Sequence, residues 1–461
     1  MLRIVFICLC IPLLSSCFTV GKDYTKPVTD INNNWNSAGG SDSTLFSPGD
    51  KKVPTKWWHN FNDKQLSSLI EKSLKYNHDI KAAEARIKEA VANHNAAFAS
   101  LFPQISGIGS FKREKLGASS GERLDRSSNA GIRGSWDLDI FGGNKRKKEA
   151  ALAAIESQEA ERDKVRLAIV AEVARNYINL RQSQKQKRLI LKNIEIQKET
   201  LTGTLEKRKV GSVTNLEVAR AEAQVEATKV RLFQINTSNS IAINRLHVLT
   251  GEPSDNLMAL LLEGESIPDV KDKMIVGTPL QVVAKHPDIR AAERELASRT
   301  ALTGAAFAEM FPKLSLDGFF GASESNLFGA ATPWDAAGNL LFPILNFCSL
   351  KAQVEAADAR QEAAFEGYKQ TVLTTLEAVE NSFSSYKNEK KRLEKLAVVL
   401  EKRKSVVNIA KEQYTVGVIT QLDLLLAQQN QLDAENDFVI SEALAATNAI
   451  DLYESLGTLE R

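Results

Sequence analysis

The sequence predicts a mainly α-helical fold with a small β part, in which one structural unit of about 200 residues occurs twice. Three observations support this class: a residue pattern that recurs along the chain, two very long segments of strong helix formers, and two pairs of segments in which apolar and polar residues alternate. A repeat this long indicates two structurally equivalent halves rather than a catalytic domain beside a regulatory one.

The two copies are related by an offset of 209 residues, as from Asp79 to Asp288, which changes to 206 beyond the predicted strand pairs. The second offset matches Gly211 with Gly417. The change therefore falls inside the β part of the repeat, where hairpin loops tolerate differences in length.

The first repeat is predicted to cover residues 61–251. Its elements are a helix from 64 to 100, a β-hairpin at about 104–141, a long helix over 144–209 and a return helix over 215–250. Phe102-Pro103 ends the first helix, because the residue before a proline prefers extended backbone. The 66 residues of the long helix correspond to roughly 100 Å at about 1.5 Å per residue.

The second repeat, over residues 279–457, has the same order after a linker at 252–278. It contains a helix, a β-hairpin at about 313–346, a long helix over 349–416 and a return helix over 421–456. Both long helices end in a Val-Gly turn, and glycine suits the left-handed position after a helix. A coiled-coil scaffold would also use such helices, but it does not need two amphipathic hairpins.

The clearest strand pattern lies at residues 130–140. It predicts one face toward lipid and one toward a lumen or a neighbouring subunit: Ile132, Trp136, Leu138 and Ile140 against Arg133, Asp137 and Asp139. The second copy repeats the pattern with Leu340, Phe342 and Ile344. Strands of about 10 residues cross a bilayer when tilted. Soluble hairpins on a core are the alternative.

The N-terminus predicts a lipoprotein signal peptide over residues 1–16. An apolar run from Ile4 to Leu14 is too short to span a membrane, and Ser15-Ser16-Cys17 after it resembles the bacterial lipoprotein signal. Cys17 would then become the first residue and carry a covalent lipid such as palmitate. The alternative is an ordinary secretory signal with an incidental cysteine. Residues 17–60 are predicted to form an extended arm without its own core.

Composition argues against several classes of function. The 59 basic and 57 acidic residues nearly cancel, which removes a basic surface as a reason to expect nucleic acid. The sequence contains no CxxC, HExxH or GxxxxGK motif, and its five histidines show no pairing at ligand spacing. No catalytic residue, metal site or cofactor is expected, apart from the lipid on Cys17. Cys348 would remain as a lone cysteine.

Several longer strings carry a resemblance to a known family. They are WWHNFNDKQL from Trp57, SWDLDIFGG from Ser135, HPDIRAAERELA from His286, AAFAEMFPKLSLDGFFG from Ala305, VGSVTNL from Val210 and VGVITQLDLLLAQ from Val416. The chain resembles the TolC-like outer-membrane factor family of tripartite efflux systems, in its OprM- and NodT-type lipoprotein branch. It departs from that pattern at Cys348 and Leu426.

The resemblance implies a homotrimer whose twelve strands close a transmembrane β-barrel, continued by an α-helical barrel across the periplasm. The strands alone demand more than one chain, because four strands cannot close a membrane barrel and open edges are excluded from lipid. Two, three or four chains would satisfy that rule. The implied location is the cell outer membrane, lipid-anchored and membrane-spanning.

The implied function is a passive exit duct for drugs or other small toxic solutes, with a periplasmic adaptor and an inner-membrane pump of the RND type as partners. The duct of a type I protein secretion system is the alternative. The resemblance also assigns the adaptor-docking tip, namely Val210, Gly211, Thr214, Val416, Gly417 and Thr420. These glycines would otherwise be simple helix caps.

The resemblance places an aperture gate beside the second turn. Asp423 matches the first acidic position of that gate, Leu422 is a further candidate for the constriction, and Tyr414 matches a tyrosine that bonds to neighbouring helices. Leu426 stands where many members carry a second acidic residue. The alternative for Asp423 is a solvated surface carboxylate.

Overall fold

A computed structural model describes residues 19–28, 31, 34–36, 45–47, 54–115, 124–251, 266–270, 273–327 and 329–459. The predicted signal peptide and Cys17 lie outside these residues. The chain divides into two compact units. The sheet unit comprises the described residues of Met1–Thr29, Glu84–Ala160 and Arg290–Thr371, and the helical unit comprises the rest.

The structure is mostly helical, with one antiparallel sheet and a short parallel strand pair. A 3-10 turn covers Trp57–Phe61. The helices are α1 (Lys64–Tyr76), α2 (His78–Ala99), α3 (Gly143–Lys209), α4 (Asn215–Thr250), α5 (Pro279–Lys285), α6 (Pro287–Ala308), α7 (Phe347–Thr415) and α8 (Gln421–Ser455). The strands are β1 (Phe46–Ser47), β2 (Gln104–Lys115), β3 (Leu124–Leu138), β4 (Met274–Ile275), β5 (Lys313–Ser325), β6 (Gly329–Ala331) and β7 (Trp334–Leu341). No helix in the described ranges has the length and apolarity that a membrane span requires.

The sheet unit contains the antiparallel sheet. Its strands pair β2 with β3, β3 with β5, and β5 with both β6 and β7. Ile132 of β3 lies opposite Phe320 of β5, so residues from the two predicted hairpins share one continuous sheet.

Strand β3 ends at Leu138, earlier than the alternating pattern predicts, because the next residue, Asp139, caps helix α3. Both oxygens of the Asp139 carboxylate accept backbone N–H groups of α3, from Asn144 at 2.9 Å and from Lys145 at 2.8 Å. Ile140 lies in the turn, not in the strand. The prediction of lipid- and lumen-facing strand positions for Ile140 and Asp139 is therefore wrong.

The last strand of the second hairpin also differs from its prediction. It is divided into β6 and β7 around Pro333, and β7 stops at Leu341, two residues before Pro343. Proline has no N–H to donate to the sheet. Phe342 and Ile344, predicted to continue the alternation, therefore lie beyond the strand.

The first helix of each repeat is broken once, where the sequence predicts a single long helix. Asn77 separates α1 from α2, and its side-chain oxygen accepts the N–H groups of Asp79 at 2.8 Å and Ile80 at 3.2 Å. His286 separates α5 from α6, and its Nδ1 accepts the N–H of Asp288 at 3.3 Å. Burial lowers the pKa of His286, which keeps the ring neutral and able to accept. Both breaks are thus helix N-caps.

The core of the helical unit includes residues of the N-terminal arm. Trp35 and Phe46 are buried, and their rings lie 5.6 Å and 5.0 Å from the ring of Phe383. β1 pairs in parallel with β4, so the linker between the repeats packs with the arm. The described residues of the arm thus contribute aromatic side chains to this core.

Candidate functional site

The turn between α3 and α4 has the geometry of a left-handed helix cap. Gly211 has φ +76° and its N–H reaches the carbonyl of Arg208 at 3.0 Å. The N–H of Ser212 reaches the carbonyl of Lys207 at 2.9 Å. These two bonds form a Schellman motif, which satisfies two of the carbonyls left free at the end of α3.

The turn between α7 and α8 repeats this geometry. Gly417 has φ +78° and donates its N–H to the carbonyl of Tyr414 at 3.2 Å. Val418 donates to the carbonyl of Gln413 at 2.9 Å. A side chain with a Cβ at Gly417 would meet no atom within 4 Å, so the backbone conformation alone selects glycine here.

The predicted docking residues are accessible at both turns. Val210 and Val416 are 77% and 74% exposed, and Val418 is 70% exposed. Apolar side chains held at helix ends in this way leave apolar surface available to a partner. The structure thus places the predicted tip residues on exposed turns within the helical unit.

A capping interaction that the sequence analysis did not predict begins each return helix. Thr214 donates its N–H to the Glu217 carboxylate at 2.7 Å. Thr420 donates its N–H at 2.9 Å and its hydroxyl at 2.6 Å to the Asp423 carboxylate. The spacing of threonine and an acidic residue three positions later was the available signal.

Asp423, the predicted acidic gate residue, therefore has a structural role as well as an exposed charge. Hydrogen bonds from the Thr420 side chain, and then from the backbone of the same residue, hold the pKa of Asp423 below its usual value. The carboxylate is exposed and lies in the first turn of α8. A negative charge at a helix N-terminus is also favourable for the helix dipole.

The other two predicted gate residues, Leu422 and Tyr414, differ in their exposure to solvent. Leu422 is 43% exposed. Tyr414 packs against a small buried cluster that contains Ala410, Leu424 and Ala427. The structure thus holds the tyrosine against α8 and leaves the leucine accessible.

Tyr414 also connects the ends of the two long helices. The Lys207 Nζ lies 3.8 Å from the centroid of its ring and 3.5 Å from its carbonyl oxygen. The Tyr414 hydroxyl is buried, and it has no hydrogen-bond partner among the described residues. A cation over an aromatic ring is attractive, whereas a buried hydroxyl without a partner is costly.

Glutamine side chains bond α8 to α3 above the turn, and no sequence pattern pointed to them. Gln421 is 1% exposed, and its Nε2 donates to the Thr204 hydroxyl at 2.8 Å. Gln428 donates in the same way to the Thr200 hydroxyl at 3.2 Å. The spacing of apolar residues alone would assign the helix faces that carry these polar side chains to solvent.

Within the described part of the chain, no group of three or more His, Cys, Asp or Glu side chains is placed to hold a metal ion. The candidate site consists of the two helix-capping turns, the exposed Asp423 carboxylate and the hydrogen bonds from Gln421 and Gln428 of α8 to α3.

The family model described as "Outer membrane efflux protein" matches residues 69–252 and 279–458. The chain belongs to this family, and it is an efflux channel protein of the outer membrane.

Several known proteins are similar over nearly the whole chain. Nodulation protein T of Rhizobium leguminosarum bv. trifolii is 31% identical over 424 residues, which cover 91% of this chain and 89% of that protein. The probable efflux pump outer membrane protein TtgC of Pseudomonas putida is 27% identical, with 96% and 93% covered. The structure of the outer-membrane channel OprN superposes with a TM-score of 0.88 at 30% identity, covering 95% of this chain and 99% of that one.

Proposed function

We propose that this chain is the outer-membrane duct of a tripartite efflux pump and gives drugs or other small toxic solutes a passive exit. The observation that carries the proposal is the match to the efflux family along both halves of the chain. The relative TtgC bears the name of an efflux pump component. Energy conversion would lie in an inner-membrane partner, because this sequence has no nucleotide-binding motif. The proposed partner is a pump of the RND type.

Three copies of the chain would form the duct. Within the described residues, β2 pairs only with β3, and β7 pairs on one side with β5. Sheet edges cannot remain open in lipid. Each chain would contribute four strand positions, two from each repeat. Three chains would then close a barrel of twelve strands.

The two capped turns would dock the periplasmic adaptor. Their support is the exposure of Val210 and Val416 and the shared geometry of Gly211 and Gly417. Photocrosslinkers at Ser212 or Val418 should link to the adaptor in cells. Crosslinks found only at positions in the middle of α3 or α7 would reject docking at the turns.

The aperture gate would lie beside the second turn. Three Asp423 carboxylates, one from each chain, would form an acidic ring with Leu422 beside it. At an effective dielectric near 20, two such charges about 6 Å apart repel by roughly 3 kcal/mol before screening. The closed state therefore needs restraints elsewhere, and Tyr414 is the proposed one.

The N-terminus would be anchored by lipid on Cys17, since the preceding LSSC ending matches a lipoprotein signal. Each buried methylene adds about 0.8 kcal/mol of membrane affinity. The intact mass of the mature protein tests this directly. A mass that corresponds to unmodified Cys17, or to cleavage at another bond, would reject lipidation.

The alternative cargo is a secreted protein, as in a type I secretion duct. Removing the gene from its own cell should raise accumulation of small dyes and antibiotics, and plasmid copies of the intact gene should reverse this. Loss of a secreted protein with unchanged dye accumulation would favour the alternative.

A further inference from the structure

The first described residues of the arm lie in a cleft of the sheet unit that contains a buried arginine. Arg146, on α3, is 3% exposed. Its Nε donates to the carbonyl of Val20 at 3.2 Å, and its Nη2 donates to the carbonyl of Gly21 at 3.0 Å and to Asp23 at 2.8 Å. Glu149 pairs with Nη1 at 2.8 Å. Most of the guanidinium's partners therefore belong to the arm.

The shape of the cleft also fits the arm closely. A Cβ added at Gly21, where φ is +89°, would lie 2.6 Å from the Cα of Gly304 on α6. A Cβ at Gly142 would lie 2.7 Å from the Thr19 side chain. Any larger residue at Gly21 would have to displace backbone and adopt a strained φ.

A second contact fixes the other end of this segment. The Tyr24 hydroxyl donates to the Glu293 carboxylate, which also pairs with Arg294. Burial and the hydrogen bond to Glu293 raise the pKa of Tyr24, so the hydroxyl remains a donor. Arg294 pairs in turn with Glu156 of α3 at 2.9 Å. Residues 19–24 are thus held at both ends.

Release of residues 20–23 would break the hydrogen bonds from Arg146 to Val20, Gly21 and Asp23 and leave Glu149 as its ion-pair partner. Hydrogen bonds to a charged group stabilise a structure more than neutral ones do. Two backbone carbonyls on one guanidinium also use the fork geometry that lysine lacks. We propose that Arg146 is a positioning residue that holds the lipidated N-terminus at the junction between β3 and α3.

The position of this junction follows from the backbone. Val20 donates its N–H to the carbonyl of Phe141 at 3.1 Å, three residues after β3 ends. Cys17 precedes Thr19 by two residues, which span at most about 7 Å. The proposal rests on the lipidation of Cys17 proposed above, and it fixes where the acyl chains would leave the protein.

Trypsin tests the proposal on the full-length protein in lipid nanodiscs. Lys22 is exposed, but it lies between residues that Arg146 holds, so cleavage after it requires local release of the arm. Arg146→Gln should speed release of the fragment Cys17–Lys22 by roughly tenfold or more, given the strength of hydrogen bonds to charged groups. Arg146→Lys should have an intermediate effect.

Lys147→Gln is the matched control, because Lys147 pairs with Glu309 at 3.2 Å and not with the arm. It should leave the cleavage rate unchanged. Equal rates for wild type and Arg146→Gln would overturn the proposal. If Arg146→Gln does not fold, Gly21→Val decides the matter, since it changes only the arm and should speed cleavage similarly. An unchanged rate in Gly21→Val would then overturn the proposal.

The mass of the released fragment separates the two claims. A fragment with acyl chains supports both. A fragment of unmodified mass rejects lipidation, while a faster release in the variants still shows that Arg146 holds the arm.

Discussion

The two turns of the helical unit share a backbone and differ in packing. Gly211 and Gly417 lie 206 residues apart, have φ values of +76° and +78°, and close the same pair of capping bonds. Thr214 and Thr420 then begin the return helices with equivalent acidic partners. The backbone geometry of each turn is therefore specified by its local sequence, independently in the two repeats.

The side chains around the two turns are not equivalent. Gln421 and Leu424 of α8 are 1% and 3% exposed, whereas Val218 of α4, the counterpart of Leu424, is half-buried. Asn215, the counterpart of Gln421, is exposed and accepts a bond from Arg208 at 2.7 Å. The start of the second return helix thus packs against other helices, and the first return helix presents its start to solvent.

The largest expected effect concerns this packing difference. Gln421→Ala should lower the local opening free energy at the start of α8 by about 1 to 3 kcal/mol, because it removes the buried hydrogen bond to the Thr204 hydroxyl and leaves the space of a buried side chain empty. Asn215→Ala should cost well under half of that at the start of α4. Hydrogen exchange of the backbone amides, read by mass spectrometry, measures both. Equal losses of opening free energy in the two variants would contradict the difference in packing between the two turns.

The second prediction tests the shared backbone. Gly417→Val and Gly211→Val should each destabilise their turn by about 1 to 2 kcal/mol, because a β-branched residue is strained at positive φ. A Cβ at either glycine would meet no atom within 4 Å, so the two losses should agree. Hydrogen exchange at Ser212 and Val418 reports them, and a large difference would show that the turns are not equivalent.

The third prediction concerns the restraint at the second turn. Tyr414→Phe should raise the open fraction in single-channel recordings several-fold, because it removes the hydroxyl of the residue proposed to restrain the gate and keeps the ring beside Lys207. One lost neutral hydrogen bond corresponds to roughly 1 kcal/mol. Lys207→Met, which removes the cation from the ring, separates the hydroxyl from the ring contact. An unchanged open fraction in Tyr414→Phe would remove Tyr414 from the gate.

The smallest expected effect is that of moderate acidity. The pKa of Asp423 is held below its usual value by Thr420, so the folded state binds its proton less readily than the unfolded chain. Its contribution to stability is therefore present above the unfolded pKa, about 3.9, and is lost only as pH falls through the lower folded value. Hydrogen exchange at the start of α8 in the single chain should therefore give the same opening free energy from about pH 7 to about 4.5. A loss of opening free energy near roughly pH 6, where histidine titrates, would implicate another group.

Much of this architecture is predictable from local chemistry. Proline-free runs of helix formers define α3 and α7, and glycine marks both turns. The helix breaks at Asn77 and His286 were not predicted, because apolar residues recur with helical spacing on both sides of each break. Only the hydrogen bonds that these two side chains accept at the helix N-termini mark the breaks. The strand prediction for Ile140 is wrong because the alternation extends beyond β3 into a cap residue.

The contacts of the candidate site were less predictable. The capping role of Asp423 could have been inferred from its spacing to Thr420, but the burial of Gln421 depends on which helix faces meet. Likewise, the partners of Arg146 in the arm are 123 to 126 residues away in the chain. Side-chain burial between distant elements is a tertiary property that local pattern does not specify.

Conductance in a planar bilayer tests the proposed gate by comparing the acidic cap residues of the two turns. Asp423→Asn keeps an acceptor oxygen for Thr420 and removes the charge, and Glu217→Gln does the same at the first turn. A gate at the second turn predicts weaker cation selectivity and weaker block by multivalent cations for Asp423→Asn, with Glu217→Gln conducting like the parent. Two variants that both conduct like the parent, or that lose selectivity equally, would contradict a gate at the second turn.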